Sequence, residues 1–233
     1  MIRLRVLLLC LFLCCQSAGA QVRFVSLVPE EVISVDFGSC HQQLSYLEES
    51  PNLSLEAGVY PLRVSSGGQR LLEKRLGLSA SEKALIVILG NRGVSRPDGI
   101  LDPLKVRFEG QGHAFRQNYA VQARILRGNA YLDPKKAYLR VFHGATATVP
   151  LVLRSGSRQE ATAKYAQATD FLPFEPGKRD VEICPEGTSV PMLTRTLDLQ
   201  AGTTTYLFLS RDELGRGEIG TLVFTDSSNV PSR

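Results

Sequence analysis

Apolar residues recur at every second position in short segments of this chain. Ile33, Val35 and Phe37 alternate with polar residues and are followed by a glycine. The same period returns in residues 60–64, which lead into a Ser-Ser-Gly-Gly turn. Alternation with a period of two places one face of an extended segment against a core and the other in solvent. The pattern therefore predicts an all-β chain of antiparallel β-sandwiches.

Further strands are predicted at 71–78, 84–89, 119–126, 138–142, 149–153, 181–184, 192–199, 204–209 and 220–225. Residues 84–89 are apolar at every position, which is typical of a strand buried on both faces. Pro61 and Pro150 are expected at strand edges or bulges, because proline cannot donate to a ladder. Helical signals are weak, although Glu160 and Lys164 have an i,i+4 spacing that permits one or two turns.

Much of this pattern occurs twice. The recurring segments are 53–58 with 172–177, 62–64 with 181–183 and 76–80 with 197–201. The first pair lies 119 positions apart, which is the size of a domain and too long for a solenoid repeat. We therefore expect an N-terminal domain at 21–130 and a C-terminal domain at 131–233, joined by a short linker. Residues 91–118 are extra sequence rich in Gly and Pro, without a counterpart in the second copy.

The first 20 residues are predicted to be a secretory signal peptide. Arg3 and Arg5 precede an apolar stretch at 6–13, and Ala-Gly-Ala at 18–20 is typical of a cleavage site. The stretch is shorter than the roughly 20 residues that span a bilayer. The expected location is periplasmic, with Gln21 as the mature N-terminus. An uncleaved anchor and a lipoprotein are the alternatives.

Charge and cysteine content narrow the function classes. The formal net charge is +4, and loss of Arg3 and Arg5 lowers it to +2, so nothing requires a nucleic-acid partner. Cys40 and Cys184 remain after cleavage. They could form one disulfide between the domains in an oxidising compartment, or stay as buried thiols that pack as small hydrophobes.

Residue patterns for catalysis are missing from the sequence. The three histidines, His41, His113 and His143, show no metal-ligand spacing, and there is no nucleophile elbow, phosphate loop or dinucleotide fingerprint. We therefore predict no catalytic residue, no metal and no cofactor. His143 ends an apolar strand and could face solvent or the domain interface.

One segment is rich in cations and aromatic residues. Its predicted partner-binding residues, here called the linker stripe, are Arg116, Arg124, Arg127, Tyr131, Lys135, Lys136 and Arg140. Arginine and tyrosine are enriched at interaction sites, since they combine contact area with hydrogen bonding. The stripe would suit an acidic protein surface or an anionic polysaccharide. Alternatively, the aromatic rings pack inward and the charges merely solvate a linker.

The chain resembles the alginate biosynthesis protein AlgF family and its relatives in acetylated-cellulose systems. The resemblance rests on the strand at 138–145, which follows Lys135 and Lys136, on a similar strand at 23–27, and on the Ala-Gly and Pro-Gly turns of the two copies. Residues 91–118 depart from the family pattern.

This resemblance implies a periplasmic accessory protein for O-acetylation of a secreted exopolysaccharide of the alginate or cellulose type. Such a protein is a non-catalytic adaptor whose partners are periplasmic or membrane-associated O-acetyltransferases. A carbohydrate-binding protein that holds the polymer is one alternative, although the chain has no tryptophan. An acetyl-carrier or acetyltransferase enzyme and a surface or pilus-associated structural protein are the others.

Overall fold

The computed structural model describes residues 19–29, 32–92, 119–128, 132–146, 148–211 and 218–227. These residues form two tandem sandwich-like domains and contain strands but no helix. The predicted all-β, two-domain fold is confirmed. The first 18 residues of the predicted signal peptide at 1–20, most of 91–118 and the predicted boundary at residue 130 lie outside the described residues.

The strands of the first domain are β1 (Ala20–Leu27), β2 (Ile33–Phe37), β3 (Cys40–Leu44), β4 (Glu48–Glu49), β5 (Leu53–Leu55), β6 (Gly58–Ser66), β7 (Gln69–Leu78), β8 (Lys83–Leu89) and β9 (Gln122–Arg127). Those of the second are β10 (Ala137–His143), β11 (Leu151–Ser155), β12 (Arg158–Ala163), β13 (Gln167–Ala168), β14 (Leu172–Phe174), β15 (Gly177–Pro185), β16 (Leu193–Leu199), β17 (Thr203–Arg211) and β18 (Ile219–Ser227). The weak helical signal at Glu160 was misleading, because that residue lies in β12.

Each domain has an outer and an inner sheet. The outer sheets have the orders β3-β2-β6-β7 and β12-β11-β15-β16. The inner sheets have the orders β4-β1-β8-β9 and β13-β10-β17-β18, with β5 and β14 also paired to β1 and β10. The described strand pairs are antiparallel, apart from β1 with β8 and β10 with β17. A parallel pair needs a long crossover, and the outer sheet of each domain forms part of it.

The inner sheets are apolar on both faces. Along β1, Val22 and Phe24 point into the core of the first domain, whereas Val25 and Leu27 belong to a separate apolar cluster shared with the second domain. The alternation of side chains along a strand therefore serves two cores at once. The sheets consequently stack as outer, inner, inner and outer layers.

The two domains also share their strand register. Gly58 pairs with Leu78 in the first domain, and Gly177 pairs with Leu199 in the second. The recurrence seen in the sequence is thus a recurrence of paired positions. The inner sheets repeat in the same way, since Val25 lies opposite Val87 and its counterpart Phe142 lies opposite Phe208.

The possible disulfide between Cys40 and Cys184 is not formed, because both cysteines are free. Cys40 begins β3 and Cys184 lies in β15, so they occupy the two outer sheets. Two inner sheets separate them, and stacked sheets lie about 10 Å apart. That arrangement keeps the two cysteines much farther apart than disulfide geometry allows.

Candidate functional site: the seam between the domains

The inner sheets pack face to face along a surface that we call the seam. Its buried apolar side chains are Val25, Leu27, Leu85, Val87, Leu89 and Leu126 from the first domain, and Phe142, Ala166, Tyr206 and Phe208 from the second. Complete burial of one such side chain contributes roughly 1.5–3 kcal/mol. The seam is therefore a third core that holds the two domains together.

Arg23 closes one side of the seam from β1. Its guanidinium carbon lies 5.0 Å from the ring centroid of Phe224 on β18. The same side chain donates to Asn52 Oδ1 at 3.1 Å and to Glu49 Oε2 at 3.0 Å. Arg23 thus joins β1 and the β4–β5 segment of its own domain to the edge strand of the other domain.

Arg140 holds the position in β10 that Arg23 holds in β1. Arg23 lies two residues before Val25, and Arg140 lies two residues before its counterpart Phe142. Its Nη1 donates to the backbone oxygen of Arg127 in the first domain at 3.0 Å, and its Nε donates to Thr169 O at 3.1 Å. Its guanidinium carbon lies 4.5 Å from the ring centroid of Phe171. Equivalent arginines therefore cross the seam in both directions.

Tyr206 lies close to both arginines. Burial raises the pKa of its hydroxyl group. The positive charges of Arg140 and Arg23, and a hydrogen bond with Arg140, act in the opposite direction. The neutral phenol is therefore the form that the seam holds at physiological pH.

A small cleft opens where both domains meet. Its lining includes Gln21, Arg23, Lys83, Phe224 and Asp226, and its volume is about 30 Å³. That is room for no more than a few water molecules and is far below the roughly 300 Å³ lower limit of ordinary ligand pockets.

Two residues of the linker stripe, Arg127 and Lys136, form ion pairs within the chain. Arg127 forms an ion pair with Glu82 and touches Arg140 through its backbone oxygen. Lys136 forms an ion pair with Glu175, whose hydrogen bond and charge raise the pKa of the Lys136 ammonium group. These contacts supply counter-charges within the chain, so Arg127 and Lys136 are less available to a partner.

The other stripe residues have different surroundings. Arg124 and Lys135 are exposed, and neither forms a described ion pair. Arg116 and Tyr131 lie outside the described residues. The stripe assignment therefore stays a prediction, and its accessible described members are Arg124 and Lys135.

His143 is completely buried at the end of β10. Its Nε2 lies 3.3 Å from Val149 O. Since a carbonyl oxygen can only accept, the neutral ring carries its proton on Nε2. Burial lowers the pKa of the ring to about 4. The ring also meets Tyr165 edge-on, with centroids 6.1 Å apart. His143 does not face solvent and acts as a packed neutral side chain.

Two hydroxyl groups beside the seam were missed by sequence reasoning. Ser50 Oγ accepts from the Phe24 backbone N–H at 2.9 Å, and Thr169 Oγ1 accepts from the Val141 backbone N–H at 3.0 Å. Both hydroxyls lie where the short partner strands are interrupted. A serine and a threonine in loops carry no distinctive sequence signal, so only the repeat itself could have pointed to them.

The described residues include no group of three or more His, Cys, Asp or Glu side chains placed to hold a metal ion. Within the same ranges, no helix is long and apolar enough to cross a lipid bilayer.

The second domain matches a known family model. Residues 137–233 match DUF4397, a domain of unknown function. The matched residues begin where β10 begins, and the first domain repeats the same strand order. Comparison with curated protein sequences gives no match.

Three solved structures show weak likeness to the chain. The Bacillus anthracis TIE protein has a TM-score of 0.25 at 11% identity, and the alignment covers 91% of this chain but 44% of that protein. A "putative cell adhesion protein" from Bacteroides ovatus has a TM-score of 0.24 at 11% identity, covering 92% and 100%. A protein with the same description from Bacteroides eggerthii has a TM-score of 0.23 at 8% identity, and the alignment covers 91% of this chain and 96% of that protein. Likeness at this level carries no functional argument.

Proposed function

We propose that this chain is a non-catalytic adaptor that acts outside the cytoplasm in O-acetylation of a secreted exopolysaccharide. Its partners would be the O-acetyltransferases of that system. The proposal joins the resemblance to the AlgF family with one structural observation, the apolar seam. A seam of this kind presents surfaces of two domains as one body, which suits a protein that works by contact.

The small volume of the cleft between the domains supports the proposal of an adaptor without a ligand pocket at this place. Its volume of about 30 Å³ has no room for a sugar ring or an acetyl donor. This cleft is therefore not proposed as a ligand site, and binding is proposed on exposed surfaces and strand edges. Arg124 and Lys135 are the described members of the linker stripe that a partner could reach.

A deletion strain tests the biological assignment. Loss of the protein should lower the acetyl content of the secreted polymer without lowering polymer yield. The tagged full-length protein should also co-purify with an O-acetyltransferase from the extracytoplasmic fraction of its own cells. If the deletion strain acetylates its polymer normally, the proposed role in O-acetylation is refuted.

Charge reversal tests the linker stripe. The variant Arg124→Glu/Lys135→Glu should reduce co-purification of the partner and keep its thermal midpoint. The matched control is Lys164→Glu/Lys178→Glu, which reverses two exposed lysines of the second domain. Equal co-purification by both variants would refute the stripe as the contact surface.

Two measurements test the alternative functions. Intact mass after incubation with an acetyl donor should stay unchanged for an adaptor, whereas a stoichiometric acetyl adduct would indicate an acetyl carrier or enzyme. Titration with neutral and acidic oligosaccharides should show no saturable binding. Saturable binding would indicate a protein that holds the polymer itself.

A further inference from the structure

The edge of β18 is long and accessible within the described part of the chain. All nine of its residues pair with β17, and β18 ends the order of the second inner sheet. An edge strand presents unpaired backbone N–H and C=O groups that can pair with another chain. The strand carries one charged residue, Asp226, and no proline.

One edge strand of each outer sheet carries a charged residue on its core-facing side. Lys74 stands in β7 between Leu72 and Leu76, two side chains of the first core. Arg195 stands at the corresponding place in β16, between core residues Leu193 and Leu197. An inward charge on an edge strand opposes pairing with another strand. On β18 the one charge, Asp226, lies near the C-terminal end in the cleft, so the strand from Gly220 to Thr225 carries none.

The two faces of β18 have different neighbours. Leu222 and Phe224 pack into the seam. Thr221, Val223 and Thr225 lie on the opposite face, where Val223 is 42% exposed. The seam holds the strand through one face, and Ile219 packs against the second core from the other. The edge of the strand and the exposed Val223 stay accessible.

Arg195 adds a positive charge to the available face. Its Nη2 donates to Thr221 Oγ1 at 3.2 Å, and no ion pair to Arg195 is found among the described residues. A strand added beside β18 would bring a side chain next to Thr221, within reach of this guanidinium group. An acidic side chain would complement it.

The first domain restricts what can bind at this edge. The turn between β3 and β4 lies over β18, so that a Cβ on Gly220 would be 2.6 Å from Leu47 Cδ1. Antiparallel pairing of two β18 strands would place both first domains on one face of the joined sheet. A second copy would thus bring a whole first domain to this face, whereas a single extended segment would not. A single extended segment fits more readily than a second copy.

We propose that the edge of β18 binds an extended segment of a partner protein by strand addition. The segment carries an apolar residue opposite Val223 and an acidic residue two positions away, opposite Thr221 and beside Arg195. This inference rests on the proposed adaptor function and specifies the chemistry of the partner. It uses a known mode of recognition, in which backbone pairing supplies affinity and side chains supply specificity.

Synthetic peptides provide the test on the full chain. Each is a nine-residue peptide of alternating Thr and Val with a central Val, carrying Glu, Gln or Lys two positions before or after the centre. A Glu peptide should bind and slow amide hydrogen exchange in residues 219–227 but not in β7. Because a partly exposed ion pair is weak, the matching Lys peptide should bind about fivefold more weakly.

Protein variants complete the test. Arg195→Glu should invert the preference between the Glu and Lys peptides, and Val223→Lys/Thr225→Lys should abolish binding. The matched control is Val59→Lys, a change at a valine that is 61% exposed on β6. Thermal midpoints should confirm that all variants are folded.

Three results would overturn the proposal: no peptide protects residues 219–227, Arg195→Glu leaves the preference unchanged, or light scattering shows a dimer that Val223→Lys/Thr225→Lys dissociates. The third result would identify a second copy as the occupant. These outcomes are separate from the adaptor function, which fails if the deletion strain acetylates its polymer normally.

Discussion

Leu27 of the first domain packs against Gly144, which holds the equivalent position in the second domain. A Cβ added to Gly144 would lie 2.7 Å from Leu27 Cδ1 and 2.9 Å from the backbone oxygen of Leu209. Equivalent residues touch each other only near a two-fold axis. Together with the reciprocal arginine contacts, this indicates that the two domains meet as the subunits of a symmetric dimer do.

Gly144→Ala should therefore destabilise the protein. The new methyl group would meet a backbone oxygen that cannot rotate away, so the seam must open or shift. Overpacking of this kind costs about 1–3 kcal/mol. Urea denaturation of the full chain measures the change in the free energy of unfolding.

Gly77→Ala is the control for this prediction. A Cβ at Gly77 has no neighbour within 4 Å, so the free energy of unfolding should change by less than about 0.5 kcal/mol. Equal effects of the two alanines would show that the seam at Gly144 is not tightly packed.

The period of two and the repeat were sufficient to predict the fold class. The pairs Gly58 with Leu78 and Gly177 with Leu199 had already been marked by the recurring segments. The apolar run at 84–89 correctly indicated a strand buried on both faces, because β8 lies between the first core and the seam.

The rest depended on contacts that no local pattern encodes. Strands β4 and β13 have two residues each, too few to show a period. Leu47 and Ala166, at equivalent positions, adopt left-handed backbone conformations with φ of 57° and 59°, although neither residue type favours them. The contact of Arg23 with Phe224 requires knowing which faces of the two domains meet. The seam therefore appeared in the sequence only as an excess of apolar strand residues.

Removing the hydroxyl groups beside the seam should have the same effect in both domains. Ser50→Ala leaves the Phe24 N–H without its acceptor, and Thr169→Val does the same to the Val141 N–H. A buried donor left unsatisfied costs about 1–3 kcal/mol. Chemical denaturation measures the loss, and Thr169→Ser, which keeps the hydroxyl, should restore most of it. An equal loss in Thr169→Ser and Thr169→Val would show that the hydroxyl group is not what stabilises this position.

The cation–π contact across the seam should couple the two domains. In a double-mutant cycle of Arg23→Ala and Phe224→Leu, the coupling in the free energy of unfolding should be about 0.5–1 kcal/mol. The cycle cancels the separate loss of Arg23 contacts to Glu49 and Asn52. A coupling near zero would mean that the guanidinium group is held by its own domain alone.

The buried imidazole of His143 should make stability depend on pH. Its pKa is lowered to about 4 in the folded protein, whereas an unfolded histidine has a pKa of about 6.5. The unfolded chain therefore binds a proton first as the pH falls. The contribution is complete above pH 6.5 and is lost progressively between about pH 6.5 and 4, at most about 3 kcal/mol in total.

Urea denaturation from pH 7.5 to 4 measures this dependence. His143→Gln should flatten the decline over that range, because glutamine does not titrate. His41→Gln, at an exposed histidine paired with Asp36, serves as the control and should leave the decline that His143 causes in place. If His143→Gln and the unmodified chain lose stability in parallel as the pH falls, folding does not lower the pKa of this imidazole.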